Sequence, residues 1–349
     1  MSLTVLNVAY PFAPVGAASV GGAEQVLSAL DAALVRAGHR SIVIACKGSR
    51  TADTLLDVPR VSGTLNDRPM TAARARHSRT IKAALDFWPI DVVHLHGIDF
   101  ASYLPPVGVP TLATLHLPID WYTAEALNPT RPDTWLNCVS ATQHAACRGH
   151  PRVLAPIENG VALNSFRAQR AKGRFALMLA RICPEKGVHL AIEAAKRADI
   201  PLLIAGQVFP YESHQRYFRR EVAPRLDRWR RFIGIAGPQR KRRLLAEARC
   251  LLVPSLAPET SSLVAREAIA SGTPVIAFAR GALVETIEHG RTGFLVQDEI
   301  GMAQAIGQIS KIDPKICRKC ASARFSLEQM TARYFALYES LRCRRQPGV

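Results

Sequence analysis

Two glutamates stand eight positions apart in PETSSLVAREAIASG, residues 258–272. Glu259 lies in the predicted loop after the strand LLVPS, whereas Glu267 lies within the helix that follows. About two helical turns or less separate them, so both can contact one extended ligand. Carboxylates accept hydrogen bonds from sugar and ribose hydroxyls, and the amides at a helix start bind phosphate oxygens. A ligand with these parts would fit this stretch. The alternatives are that the two glutamates only decorate the surface or that they cap the helix.

Positive charge occurs in a second stretch, ARICPEKG, residues 180–187, where a predicted strand gives way to a helix. Arg181 supplies a forked donor and Lys186 a compact charge near the carboxyl edge of a parallel sheet, where α/β folds bind ligands. This arrangement indicates a diphosphate clamp, and a solvated loop with ordinary surface cations is the alternative. Gly21 and Gly22 in GGAE open another predicted helix, where the backbone either approaches an anion closely or forms a turn.

Short β-branched runs alternate with amphipathic helical patterns along the chain. Predicted strands include LTVLNVAY, SIVIAC, IDVVHLHG and PTLATLH in the first half, and RFALMLAR, PLLIAGQ, RFIGIAG, LLVPS and PVIAF in the second. Such alternation indicates parallel sheets with right-handed crossovers. We predict one α/β domain over residues 1–163, a second over residues 164–325, and a terminal helix and tail over residues 326–349. The cleft between two such domains is the natural ligand site.

The 349 residues are 48% hydrophobic and carry a formal net charge of +17. This length and composition indicate a globular chain of about two domains. The charge points to an anionic partner, either nucleic acid, an anionic lipid surface or phosphorylated small molecules, or else it reflects a general solubility bias. No segment approaches the roughly 18 to 20 apolar residues that span a bilayer, and MSLTVLNVAYPF does not resemble a secretory leader. We therefore expect a cytoplasmic protein.

Other motifs that would indicate a bound group are incomplete. PFAPVGAASVGGAEQ lacks the G-x-G-x-x-G spacing of dinucleotide-binding proteins, and no G-x-x-x-x-G-K-[ST] P-loop occurs. The eight cysteines are scattered, which indicates reduced thiols, and CRKC at residues 317–320 lacks the second pair that a zinc site needs. His94 and His96 alternate along one side of a predicted strand. We expect His94 in the core, and His96 either there or beside a ligand.

Seven segments occur in a characteristic order: GGAEQ, DVVHLHG, LATLH, CVSATQ, IENGV, ARICPEKG and PETSSLVAREAIASGTPVIAFARGALVETIEHGRTGFLV. In this combination the chain resembles glycosyltransferase family 4, whose members are retaining sugar-nucleotide enzymes. The resemblance covers nearly the whole chain and implies the GT-B fold, an α/β architecture in which two Rossmann-like domains face each other across a cleft. It implies an acceptor-side domain at residues 1–163, a donor domain at residues 164–325, and a C-terminal helix that packs back toward the N-terminal domain.

The resemblance also implies roles for residues that bind the nucleotide-sugar donor. Arg181 and Lys186 would hold the diphosphate, Glu259 the hydroxyls of the transferred sugar, and Glu267 the ribose. Amides at the start of the helix that carries Glu267 would bind phosphate oxygens. The implied donor-binding set is Gly21, Gly22, Arg181, Lys186, Glu259, Ser262, Leu263, Val264 and Glu267.

The resemblance implies front-face transfer with retention of configuration, in which the leaving phosphate helps to deprotonate the acceptor. His116 in LATLH would lie beside the anomeric centre, and Arg181, Lys186 and Glu259 complete the implied catalytic set. Stabilisation of the departing diphosphate would be the largest contribution. UDP-sugars are the favoured donors and GDP-sugars an alternative. We expect no cofactor and no metal, because cationic side chains and helix amides offset the developing charge.

Departures from the family pattern lie near the donor sugar. Thr260, Ser261 and Ser262 stand where Phe-Gly is frequent, and Phe209 and Tyr211 replace part of a glycine-rich loop. The donor sugar is therefore less well defined by the sequence than the reaction class.

The acceptor is a hydroxyl of a glycan, a lipid-linked molecule or a small molecule. We expect His96 on the acceptor side, with Arg74, Arg76 and Arg79 near the acceptor or against an anionic leaflet, as in peripheral contact with the inner membrane face. Nucleic acid is not the favoured partner of such an enzyme. The competing hypothesis is a non-catalytic basic protein that binds nucleic acid or an anionic membrane.

Overall fold

Parallel strands form the first of two sheets in the computed structural model, which describes residues 2–61, 67–147, 149–166 and 170–344. The strands of this sheet are β1 (Thr4–Val8), β2 (Arg40–Cys46), β3 (Thr54–Val58), β4 (Val92–Leu95), β5 (Thr111–Leu115), β6 (Thr134–Cys138) and β7 (Val153–Leu154). Their order is β3-β2-β1-β4-β5-β6-β7, and every neighbouring pair is parallel. The central strands are fully buried apolar runs, as parallel sheets covered on both faces require.

Helices cover this first sheet between its strands. They are α1 (Gly22–Arg36), α2 (Asp67–Phe87), α3 (Ala124–Leu127) and α4 (Ala141–Ala146). The core of the unit is apolar and includes Leu6, Ile44, Val93 and Ala113 from four strands. Sequence order reverses between β1 and β4, so the loops that follow these two strands flank the switch point where open α/β sheets bind ligands.

A second parallel sheet repeats the architecture. Its strands are β8 (Ala176–Leu179), β9 (Leu202–Ala205), β10 (Arg230–Phe232), β11 (Cys250–Val253), β12 (Val275–Phe278) and β13 (Gly293–Val296). The order is β10-β9-β8-β11-β12-β13, with the switch point between β8 and β11. The helices of this unit are α5 (Val188–Arg197), α6 (Glu212–Tyr217), α7 (Pro238–Glu247), α8 (Leu263–Ala270), α9 (Leu283–Thr286), α10 (Glu299–Gln308) and α11 (Pro314–Arg324).

The last helix, α12 (Leu327–Cys343), returns to the first sheet. Residues 1–158 and 329–349 form one unit, and residues 159–328 form the other. Within the first unit, Tyr334 and Tyr338 of α12 are completely buried. The structure therefore confirms two Rossmann-like units and a C-terminal helix that packs with the N-terminal one. Within the described part of the chain, no helix combines the length and the apolar character needed to cross a membrane.

Candidate active site

Two loops meet at the switch point of the second sheet. Arg181 and Lys186 follow β8, Glu259 follows β11, and these strands are parallel neighbours whose carboxyl ends share one edge. The ammonium of Lys186 lies 2.5 Å from Oε1 of Glu259. Their side chains are 24% and 12% exposed, so the pair is largely shielded from water. The structure thus brings together two residues that the sequence assigned to different parts of the donor.

Backbone contacts fix this pair of loops. The amide of Leu256 donates to the carbonyl of Glu185 at 2.8 Å, which links the loop after β11 to the loop after β8. Gly187 has φ +60°, and a Cβ there would clash with the carbonyl oxygen of Pro254. Only glycine permits both this backbone conformation and this close approach. On the other side of Glu259, its carbonyl accepts a hydrogen bond from the amide of Ala282 at 2.6 Å.

Glu259 is held as a carboxylate. Burial raises the pKa of its carboxyl group, but Lys186, the hydroxyl of Ser255 and the charge of Arg181 together outweigh burial, so the pKa lies below its usual value. The Ser255 hydroxyl donates to the same oxygen, Oε1, that faces Lys186. A charged acceptor hydrogen-bonds hydroxyl groups more strongly than a neutral one does. The geometry therefore suits recognition of a polyhydroxylated ligand.

The start of α8 combines strain with buried polar groups. Ser262, the residue before the helix, has φ 50° and ψ 72°, in the left-handed region that residues with a Cβ rarely adopt. The hydroxyls of Ser261 and Ser262 are buried and have no hydrogen-bond partner within the described residues. Leu263 and Val264 of the first turn are only partly buried. Strain and unsatisfied polar groups at a helix start are typical of functional loops.

Glu267 lies one turn further along α8 and is 6% exposed. Its Oε1 is 2.5 Å from the ammonium of Lys241 on α7. Burial raises the pKa of Glu267, and Lys241 offsets only part of that rise. Sequence reasoning missed Lys241, because it stands in the charge run RKRR, where nothing distinguishes it from its neighbours.

Three histidines lie close together in β4 and just after the neighbouring strands β4 and β5 of the first sheet. His94 in β4 is completely buried, with Nδ1 2.7 Å from the Tyr338 hydroxyl and Nε2 2.7 Å from Oγ1 of Thr114. His96, just after β4, stacks on His116, just after β5, and its Nδ1 is 3.0 Å from Nε2 of that ring. His94 is therefore a hydrogen-bonded core residue, as expected, and His96 is positioned to orient His116.

The segment that carries His116 is fixed by Gln143 of α4. The side-chain amide of Gln143 donates to the carbonyls of Leu115 and Leu117, at 2.8 and 2.9 Å, on either side of His116. Burial lowers the pKa of His116 to about 3. Burial, together with the two neighbouring histidines, also lowers the pKa of His96 well below its ordinary value. Both imidazoles are therefore neutral near pH 7 and act as hydrogen-bonding groups.

Gly21 and Gly22 stand at the start of α1, where the sequence indicated either close approach to an anion or a turn. Gly21 is the residue before the helix, and a Cβ there would clash with the carboxylate of Glu24. Glu24 is 8% exposed and folds back over the helix start. A Cβ at position 21 would displace the far end of the flexible Glu24 side chain, a contact that the sequence pattern did not reveal.

The arginines predicted on the acceptor side differ in their surroundings. Arg74 pairs with Asp99, with Nε 2.9 Å from Oδ2, and the Asp99 side chain is only 6% exposed. Arg76 is partly buried on the same helix, whereas Arg79 is exposed. The three residues therefore do not form one free cationic face.

Sequence matches agree with this architecture. Residues 20–157 match the family described as Glycosyltransferase Family 4, and residues 173–311 match the family described as Glycosyl transferases group 1. The two parallel sheets and these matches define a glycosyltransferase of the GT-B class. The chain belongs to glycosyltransferase family 4, which confirms the resemblance drawn from its motifs.

One curated relative matches less than half of the chain, and another matches nearly all of it. A D-inositol 3-phosphate glycosyltransferase of Corynebacterium urealyticum is 31% identical over 172 residues, which cover 45% of this chain and 40% of that protein. A glycogen synthase of Mycobacterium tuberculosis is 26% identical over 378 aligned positions, which cover 92% of this chain and 89% of the relative.

Solved structures share the fold. Sucrose-phosphate synthase of Thermosynechococcus elongatus has a TM-score of 0.79 at 21% identity, covering 97% of this chain and 99% of that one. HepE of Anabaena, solved in complex with UDP and glucose, has a TM-score of 0.75 at 17% identity, covering 97% of this chain and 100% of that one.

Proposed function

We propose that this glycosyltransferase is a retaining hexosyltransferase that moves a sugar from a nucleotide-sugar donor to a hydroxyl of a glycan, a lipid-linked molecule or a small molecule. The observation that carries the proposal is the Lys186–Glu259 contact at the switch point of the second sheet. In this contact, a cation that would hold the diphosphate lies beside a carboxylate that would bind sugar hydroxyls. Arg181 lies in the same loop and acts electrostatically on Glu259.

The proposed chemistry is carried mainly by electrostatics. The bond from the anomeric carbon to the diphosphate oxygen breaks, and a bond to the acceptor oxygen forms on the same face of the sugar. The acceptor proton passes to an oxygen of the departing diphosphate. Arg181, Lys186 and the amides at the start of α8 would offset the charge that grows on the leaving group. His116, neutral at pH 7, would contact the transferred sugar, as the family resemblance implies.

UDP is the donor nucleotide that we favour, with GDP as the alternative. HepE of Anabaena, which shares the fold, was solved with UDP and with UDP-glucose. Glu267 would accept hydrogen bonds from the ribose hydroxyls, and Lys241 would hold its carboxylate in place. Such contacts recognise the ribose that UDP and GDP share, so the base must be distinguished elsewhere.

A panel of UDP-, GDP- and ADP-sugars tests the proposal. We expect at least one UDP-sugar to raise the melting temperature of the protein and to be hydrolysed slowly without acceptor. The liberated sugar or product should keep the anomeric configuration of the donor, as measured by NMR. Inversion would overturn the retaining mechanism, and no response to any donor would overturn the enzyme proposal.

The alternative, a basic binding protein, is favoured by one surface in the second unit. The guanidinium of Arg228 lies 5.3 Å from the ring centre of Trp229, which is 49% exposed. Exposed tryptophan beside arginine suits an anionic membrane or nucleic acid. Salt-sensitive binding to anionic vesicles alongside donor turnover would place the acceptor at a membrane. Tight nucleic-acid binding without donor turnover would support the alternative function.

A further inference from the structure

Three side chains with metal-binding atoms converge beside the donor loop of the second unit. Cys183 and Glu185 belong to the loop between β8 and α5, and His214 belongs to α6. Each offers one ligand atom, and the three atoms lie within 4.8 Å of one another. The segments that follow β8 and β9 bring the three side chains together, although 29 positions separate Glu185 from His214 in the sequence.

The burial of these groups points to a ligand. His214 is 9% exposed, and its Nδ1 is buried without a hydrogen-bond partner among the described residues. The rings of Phe209 and Tyr211 pack around it, with centroids 6.4 and 5.1 Å away. Cys183 is 1% exposed and carries a free thiol. Leaving a buried nitrogen without a partner is costly, so such a group normally has a hydrogen-bond or ligand partner.

We propose that Cys183, Glu185 and His214 bind a divalent cation of the zinc class. Thiolate, imidazole and carboxylate are the ligands that zinc takes, whereas magnesium and calcium take oxygen alone. Zinc–ligand bonds of about 2.0–2.3 Å place tetrahedral ligand atoms roughly 3.3–3.8 Å apart, so the side chains need to close by at most about 1–1.5 Å. The thiol proton is released to solvent as the metal binds.

Charge balance is compatible with this site. The thiolate and the Glu185 carboxylate offset the two charges of the cation, and Lys186 next to them is already paired with Glu259. Three protein ligands leave a fourth position open, as in zinc sites that bind water or a further ligand. The proposal departs from our expectation that the protein holds no metal. It does not depend on the proposed transfer reaction, because it concerns binding alone.

Cobalt titration of the metal-free full-length protein tests the site. We expect one equivalent of Co²⁺ to bind with a thiolate-to-cobalt charge-transfer band, and Zn²⁺ to displace it. Cys183→Ser should abolish the band. Glu185→Gln and His214→Gln should weaken Co²⁺ binding by at least about tenfold, because even loss of a residue that only hydrogen-bonds a metal ligand costs about that much. The matched controls Cys343→Ser and His289→Gln alter an exposed thiol and an exposed imidazole. They should leave the band unchanged.

X-ray absorption on the zinc-loaded wild-type protein keeps the test independent of any variant that fails to fold. One sulfur at about 2.3 Å with nitrogen or oxygen at about 2.0–2.2 Å is expected. The proposal is overturned by the absence of a thiolate band, by a band that is lost in Cys343→Ser but retained in Cys183→Ser, or by a shell with no sulfur. No sugar donor is used, so these outcomes are separate from the test of the transferase reaction.

Discussion

Lys186 and Glu259, 73 positions apart in the chain, form one ion pair with 2.5 Å between Nζ and Oε1. Each follows a strand of the pair that flanks the switch point of the second sheet. The Ser255 hydroxyl and the Glu185 carbonyl fix the two loops around the pair. A cation and a carboxylate are therefore held ready at the sheet edge where α/β folds bind ligands.

Removing either partner of this pair should abolish most sugar transfer. In Lys186→Ala the leaving diphosphate loses a cation, and in Glu259→Gln the sugar hydroxyls lose a charged acceptor. We expect kcat to fall by at least about 100-fold in each variant, as for loss of one group that stabilises the transition state. The measurement is the initial rate with the donor that the nucleotide panel identifies.

Lys196→Ala and Glu193→Gln serve as controls for these variants. These residues form a surface ion pair on α5 of the same unit, with 3.8 Å between charged atoms. Their substitution should leave the rate within about twofold, since exposed pairs contribute little. Rates near wild type in Lys186→Ala or Glu259→Gln would show that the proposed roles are wrong.

Lys241 should be needed for the stability of α8. In Lys241→Met, the buried carboxylate of Glu267 loses its cation, and breaking such a pair costs about 3 kcal/mol. The double variant Lys241→Met, Glu267→Gln should recover much of this loss, because no uncompensated charge remains. Urea unfolding near pH 7 measures the free energy of unfolding of the wild type, of Lys241→Met and of the double variant.

Arg240→Met is the matched control, since Arg240 is the exposed cation that precedes Lys241 on α7. It should change the free energy of unfolding by less than about 0.5 kcal/mol. Equal costs for Lys241→Met and Arg240→Met would contradict the assigned pairing.

Stability should fall in mild acid because of the buried histidines. Burial lowers the pKa of His94 and of His96 well below 6.5, so the folded protein keeps them neutral while the unfolded chain takes up protons below that pH. The unfolded state then binds more protons, and the free energy of unfolding decreases as pH falls from 6.5 toward 5. At pH values well below 6.5, each histidine lowers the free energy of unfolding by about 1.4 kcal/mol for every unit by which the pH falls.

Urea unfolding at several pH values between 7.5 and 5 measures this slope. The exposed His289 lies in the other unit, so His289→Gln should retain the slope. A free energy of unfolding that stays constant from pH 6.5 to 5 would show that these imidazoles are not held neutral.

The sequence predicted the α/β alternation because buried parallel strands are continuous apolar runs that end at glycine or polar residues. VVHL and LLV show this pattern directly, and both lie in strands. Three strands escaped prediction, and one of them is Gly293–Val296, a four-residue strand at the edge of the second sheet. Thr54–Val58 carries a polar residue and lies at a sheet edge, and Val153–Leu154 has only two residues. Short edge strands bury too little apolar surface to leave a periodic signal.

The candidate site was predictable in part. Arg181, Lys186 and Glu259 were identified because loops after parallel strands converge at one edge and because their motifs resemble a known family. Lys241 and Tyr338 were not identified, since their partners Glu267 and His94 are 26 and 244 positions away. Such pairings are set by packing of whole elements, which no local pattern in the sequence encodes.

Calorimetric titration with UDP, GDP and ADP tests the proposed donor site most directly. We predict that the wild-type protein binds UDP, that Lys186→Ala binds it at least about tenfold more weakly through loss of a charge-assisted hydrogen bond, and that Lys196→Ala binds it as the wild type does. Absence of binding to all three nucleotides, or equal affinities in Lys186→Ala and the wild type, would contradict a nucleotide-sugar site at Lys186 and Glu259.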